Sequence, residues 1–135
     1  MAVKVRMAFT LMVALAAPPH IAATAATASM EHARDARIFE LLDDDEDGRV
    51  SMMEFKNNQM LVFYILDRNK NLALTADETF LPADVFASIA GADGKIDTLE
   101  FLDIVDAAFK QADTNHDELL DRQEFAGLLS RVRSQ

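Results

Sequence analysis

Apolar residues fall at helical spacing in two segments. In FKNNQMLVFYIL (55–66) they are Phe55, Leu61/Val62 and Ile65/Leu66, and in FLDIVDAAFKQA (101–112) they are Phe101, Ile104/Val105 and Ala108/Phe109. Residues three and four apart share a helix face, so each segment predicts a helix of about 12 residues, roughly 18 Å long at 1.5 Å per residue. Between the two lies TFLPADVFAS, where Pro82 either breaks a helix or begins a new one.

The polar stretches around these segments repeat. DDDEDGRVSMME (43–54), DRNKNLALTADE (67–78), IAGADGKIDTLE (89–100) and DTNHDELLDRQE (113–124) start 24, 22 and 24 residues apart, so one unit recurs four times. The first, second and fourth follow Asp-x-[Asp/Asn]-x-[Asp/Asn]. All four place an apolar residue eighth (Val50, Leu74, Ile96, Leu120) and Glu twelfth.

That spacing has a mechanical reason. A hard cation takes six to eight oxygens at one radius, and a tight turn aims side chains 1, 3 and 5 and the seventh carbonyl at one point, with residue 9 contributing directly or through water and Glu at position 12 closing the shell. The apolar eighth residue suits two loops paired by a short backbone bridge beside a core. This pattern resembles the EF-hand superfamily over about 80 residues. The resemblance implies an all-α fold, a compact bundle in which four metal loops are joined by short shared helices.

The four loops rank differently. The first offers Asp43, Asp45, Asp47 and Glu54, the Arg49 carbonyl and Ser51, with Gly48 where the turn needs positive φ. The fourth offers Asp113, Asn115, Asp117, the Leu119 carbonyl, Asp121 and Glu124, but Glu118 stands in the glycine position. The second has Asp67, Asn69, Asn71, the Ala73 carbonyl, Thr75 and Glu78, with Leu72 replacing the glycine, so weaker binding is expected. The third has Ile89 and Gly91 at the first two ligand positions. Only Asp93, the Lys95 carbonyl, Asp97 and Glu100 remain there, which favours a structural role as a pairing partner.

Successive loops are separated by only 12, 10 and 12 residues. One helix must therefore leave one loop and enter the next, which puts neighbouring loops at opposite ends of a shared helix. The expected pairing is second loop with third and first with fourth.

Charge and composition narrow the function. The first 28 residues carry Lys4 and Arg6, an apolar run from Met7 to Ala17 and then AATAATAS. This is the order of an export signal, with cleavage near residue 25 or 28, and eleven apolar residues are too few to span a bilayer. Residues 29–135 are then the metal-binding domain, and the expected location is the periplasm. Taking Lys4 and Arg6 from the 13 basic residues leaves 11 against 23 acidic ones, a net charge of −12. Such a chain does not suit nucleic acid or an anionic membrane, and it should not stay inserted in a membrane after cleavage. There is no cysteine to form disulfides or thiolate sites. No nucleophile has a base at meaningful spacing, so the chain does not read as an enzyme; neither His32 nor His116 has ligand-type or triad residues at meaningful sequence spacing, and Asp43/Asp45 are better explained as ligands than as an acid/base pair.

The leader, a length near 135 residues, four such loops and the 12-residue intervals together are similar to the lanmodulin family of periplasmic lanthanide-binding proteins. That resemblance implies selectivity for trivalent rare-earth ions over Ca²⁺, metal-driven ordering, and lanthanide handling beside lanthanide-dependent alcohol dehydrogenases. The chain departs from the family pattern at loop position 2, where Asp44, Arg68, Ala90 and Thr114 stand in place of Pro, and at position 9, where only Asp97 and Asp121 are Asp. What carries over is a diverged relative with fewer working sites. The ion is Ca²⁺ or a lanthanide(III) ion. The alternative function is a calcium sensor or buffer that recruits a protein partner, and a metal-dependent homodimer or a periplasmic protein partner stays open.

Overall fold

The computed structural model describes the backbone of residues 25–133, with side chains from 29 to 131. The elements run α1 (Ala25–Leu42), β1 (Val50–Ser51), α2 (Met52–Leu66), β2 (Ala73–Leu74), a 3-10 turn (Ala76–Glu78), α3 (Ala83–Ile89), β3 (Ile96–Asp97), α4 (Thr98–Ala112), β4 (Leu119–Leu120) and α5 (Arg122–Arg133). The expected leader (1–28) lies outside the described residues as far as residue 24.

The helices after the first, third and fourth loops start inside the loop, because positions 9 and 12 form a capping pair. The Ser51 hydroxyl accepts the Glu54 N–H while the Glu54 carboxylate accepts the Ser51 N–H at 2.7 Å. Asp97 with Glu100 and Asp121 with Glu124 repeat the exchange. Such a cap satisfies backbone donors that a helix start leaves unpaired. α2 and α4 therefore begin at Met52 and Thr98, three residues before the apolar periodicity does, and each spans 15 residues.

Pro82 begins a helix here, standing as the N-cap of α3. The second and third loops are thus linked by a 3-10 turn, a Pro-containing bend and a seven-residue helix, where the outer pairs of loops each share one continuous helix.

β1 pairs antiparallel with β4 (Val50↔Leu120, Ser51↔Leu119), and β2 with β3 (Ala73↔Asp97, Leu74↔Ile96). The first loop therefore pairs with the fourth and the second with the third, as the intervals predict. The four apolar eighth residues face each other in these bridges and are 0% exposed.

Phenylalanines lock this arrangement. Phe55, at the start of α2, meets Phe109 near the end of α4 with centroids 5.5 Å apart, and Phe63, near the end of α2, meets Phe101 at the start of α4 at 5.0 Å. The two shared helices consequently run antiparallel, tied also by a Lys56–Asp106 ion pair of 2.5 Å. Phe39 of α1 meets Phe125 of α5 at 5.6 Å. Each of these pairs joins the residue four before one loop to the residue directly after its partner loop. At the remaining such position the residues are Val85 and Thr79, and no ring pair forms there. No helix among the described residues is long and apolar enough to cross a membrane.

Candidate metal centre

In the first loop the backbone curls around its own carboxylates. Asp43 accepts the N–H of Asp47 at 3.0 Å and of Gly48 at 2.9 Å, Asp45 accepts that of Asp47 at 3.2 Å, and Asp47 accepts that of Arg49 at 2.8 Å. Glu54 reaches back to the N–H of Asp44 at 2.9 Å. These donors offset the repulsion of clustered acids, and oxygens of Asp43, Asp45 and Asp47 lie within 4.8 Å of one another.

The fourth loop repeats the framework. Asp113 accepts from Asp117 and Glu118 (3.2 and 3.1 Å), Asp117 accepts from Leu119 (3.0 Å), and Glu124 accepts the Thr114 N–H and hydroxyl (2.8 and 2.9 Å). Asp113, Asp117 and Glu124 form the second acidic cluster within 4.8 Å. Asp121 stands apart from it, with its carboxylate occupied by the N–H groups of Gln123 and Glu124 at 2.8 Å each.

The second loop keeps the same turns with fewer charges. Asp67 accepts from Asn71 and Leu72 (3.1 and 2.9 Å), Asn69 from Asn71 (3.0 Å), Asn71 from Ala73 (3.0 Å), and Glu78 from Asn69 (3.2 Å). The Thr75 hydroxyl is taken up by Asp77 and Glu78.

The third loop is shaped otherwise. Ile89 remains in α3 and is buried in the core. The N–H of Gly91 donates to the Lys95 carbonyl at 2.8 Å and that of Gly94 to the Gly91 carbonyl at 3.0 Å, which closes a tight turn. Asp97 caps α4, and Asp93 accepts the Lys95 N–H at 3.1 Å. A Cβ at Gly91 would collide with the Glu100 carboxylate, so the missing side chain leaves the space that Glu100 enters. Among the described residues, Asp93, Asp97 and Glu100 are not brought into an acidic cluster.

The backbone also takes left-handed conformations that the motif did not announce. Position 6 is left-handed in every loop, at Gly48, Leu72, Gly94 and Glu118 (φ 84, 62, 73 and 65°), and position 4 is left-handed at Glu46, Lys70 and His116 (58, 59 and 61°). Side chains there carry strain of about 1–2 kcal/mol.

Electrostatics follow the donors. Burial raises the Glu54 and Glu124 pKa, but hydrogen bonds outweigh it: from Ser51, Asp45 and Asp44 in one, and from Asp121, Thr114 and Asn115 in the other. Both end below the ordinary carboxylate value. Glu78 is lowered chiefly by the Thr75 hydroxyl. Asp117, raised by desolvation, is brought down by Leu119, Asn115 and the guanidinium of Arg49. That last partner escaped the sequence reading, which used only the Arg49 carbonyl, and the two residues are 68 apart.

Every donor gathered in these loops is oxygen, the set that suits hard cations and disfavours soft ones. The sequence pattern of the EF hand matches residues 35–61 and 104–129. The chain is similar to EF hands over these two segments. They contain the first and fourth loops, the two with three acidic groups drawn together. No curated protein matches the chain. EF hands with such clusters bind metal ions, Ca²⁺ being the ordinary one.

Proposed function

We propose that this EF-hand protein is an exported metal-binding protein, a carrier or buffer for Ca²⁺ or trivalent lanthanide ions that gains order on binding. The observation that carries this reading is the pair of carboxylate cages in the first and fourth loops. In the first, Asp43, Asp45, Asp47, Glu54, the Arg49 carbonyl and Ser51 would hold the ion; in the fourth, Asp113, Asn115, Asp117, the Leu119 carbonyl and Glu124 would do so, with Asp121 acting through water. The second loop would bind more weakly through Asp67, Asn69, Asn71, the Ala73 carbonyl, Thr75 and Glu78. The third would serve as the backbone partner of the second.

Four carboxylates overneutralise a divalent ion and nearly balance a trivalent one, and Coulomb attraction scales with the product of charges. This favours a lanthanide in the first loop. A net charge of −12 beyond residue 28 opposes compaction without counterions, which favours ordering on metal uptake. The leader pattern favours export, and the lanmodulin likeness rests on leader, length and loop interval.

Competitive titration with Ca²⁺ and La³⁺, read by calorimetry, tests the proposal. Two tight sites and one weaker site are expected, with La³⁺ retained against millimolar Ca²⁺. Tyr64 lies three residues before the second loop and should sensitise bound Tb³⁺. Complete displacement of Tb³⁺ by Ca²⁺ removes the lanthanide reading, and lack of uptake of either ion at micromolar concentration removes the whole proposal.

One observation favours the sensor alternative. Leu61, Tyr64 and Ile65 lie on the outer face of α2 at 62, 57 and 64% exposure, an apolar surface that a partner protein could cover. Its test is binding of a partner from periplasmic extract that depends on added Ca²⁺.

A further inference from the structure

The first and fourth loops hold the same number of carboxylates in ligand positions, yet they are not electrostatically equal. Arg49, seventh in the first loop, sends its guanidinium across the β1–β4 bridge, and its Nη1 donates to Asp117 Oδ2 at 2.7 Å. Asp117 is fifth in the fourth loop and belongs to its acidic cluster. The same oxygen also accepts the Asn115 amide at 3.1 Å, so it is engaged on two sides. The contact has no counterpart in the other direction, because the seventh residue of the fourth loop is Leu119.

The pair cannot matter much to the fold. Its side chains are 47 and 35% exposed, and ion pairs so open to water add little stability. Its consequence lies at the ligand it touches. A fixed positive charge on a coordinating carboxylate repels an incoming cation in proportion to that cation's charge, so a trivalent ion is penalised half as much again as a divalent one.

We infer that Arg49 sets the affinity and the charge selectivity of the fourth loop, acting as a built-in cation on Asp117 that weakens metal uptake there, and weakens it more for trivalent ions. The fourth loop behaves as a three-charge site, better matched to a divalent ion, while the first loop behaves as a four-charge site. The inference rests on the metal-binding reading above and adds a division of labour between the two loops.

The position-6 amides report each loop separately. The Gly48 N–H donates to Asp43 at 2.9 Å and the Glu118 N–H to Asp113 at 3.1 Å, so both sense a metal at position 1. In ¹⁵N-labelled protein titrated with Ca²⁺ or La³⁺, the Gly48 resonance should move at lower metal concentration than that of Glu118, with the larger separation for La³⁺. Arg49→Gln should bring the Glu118 midpoint down by about five-fold for Ca²⁺ and hence about eleven-fold for La³⁺, since the two free-energy changes stand as two to three. Arg49→Lys keeps the charge and should leave the midpoint near that of the unmodified protein. A Glu118 midpoint that stays put in Arg49→Gln, or moves equally far in Arg49→Lys, overturns the inference while leaving the metal reading intact. If neither Gly48 nor Glu118 responds to metal in the unmodified protein, the metal reading fails and the inference with it.

Discussion

Glu54, Glu78 and Glu124 each serve two structures at once. One oxygen holds the N-cap of the following helix, and the other reaches back to N–H groups at the start of the same loop. Removing such a residue unties the loop at both ends and, on the proposed metal-binding reading, deletes a two-oxygen ligand, whereas position 9 contributes mainly the cap. Ser51→Ala is therefore expected to cost about 1 kcal/mol of stability and to weaken metal binding less than Glu54→Ala does, a comparison made by calorimetry on the two variants. The same hydrogen bonds set a pH dependence. The folded state holds these carboxylates below the ordinary value of 4.5, so it binds protons less readily than the unfolded chain. Their contribution is fully present above that value and is lost as pH falls through the lowered folded values. Urea midpoints of the metal-free protein should be flat from pH 7 to 5 and drop below about 4.5, with a smaller drop in Glu124→Gln.

Loops and helices show where sequence and conformation disagree. Leu72 and Glu118 sit at a left-handed position that glycine fills in the first and third loops. Both are largely solvent-facing, Leu72 being 55% exposed, so little packing is lost on truncation. Leu72→Gly or Glu118→Gly should stabilise the metal-free protein by about 0.5–1 kcal/mol, read as a higher urea midpoint. The antiparallel α2/α4 pair depends on Phe55–Phe109 and Phe63–Phe101, and all four rings are buried. Phe63→Ala should cost about 3–5 kcal/mol, the usual cost of emptying a phenylalanine site. Because Phe63 meets Phe101 where α2 enters the second loop and α4 leaves the third, amide exchange at Leu74 and Ile96 should rise more than at Val50 and Leu120.

For the whole molecule the governing quantity is unbalanced acid. Chelation should lower helicity and the unfolding temperature, and added NaCl should restore part of the loss in circular dichroism, because screening acts on the same repulsion that metal neutralises. Full helicity in excess chelator at low salt would contradict the proposed ordering. Much of this architecture was legible in the chain because its determinants are local. A twelve-residue turn marks its candidate ligands by spacing, an apolar eighth residue marks a bridge, and helices shared between the outer loops keep first from second and third from fourth, so that the pairing seen in the bridges was one of two left open. The gaps at Ile89 and Gly91 likewise marked the third loop as the odd one. Tertiary structure alone settled the rest: that Ile89 is buried in the core, that particular phenylalanines meet, and that Arg49 ends on Asp117. Those outcomes depend on segments brought together from distant parts of the chain, and a contact between residues 49 and 117 leaves no periodic trace in either neighbourhood.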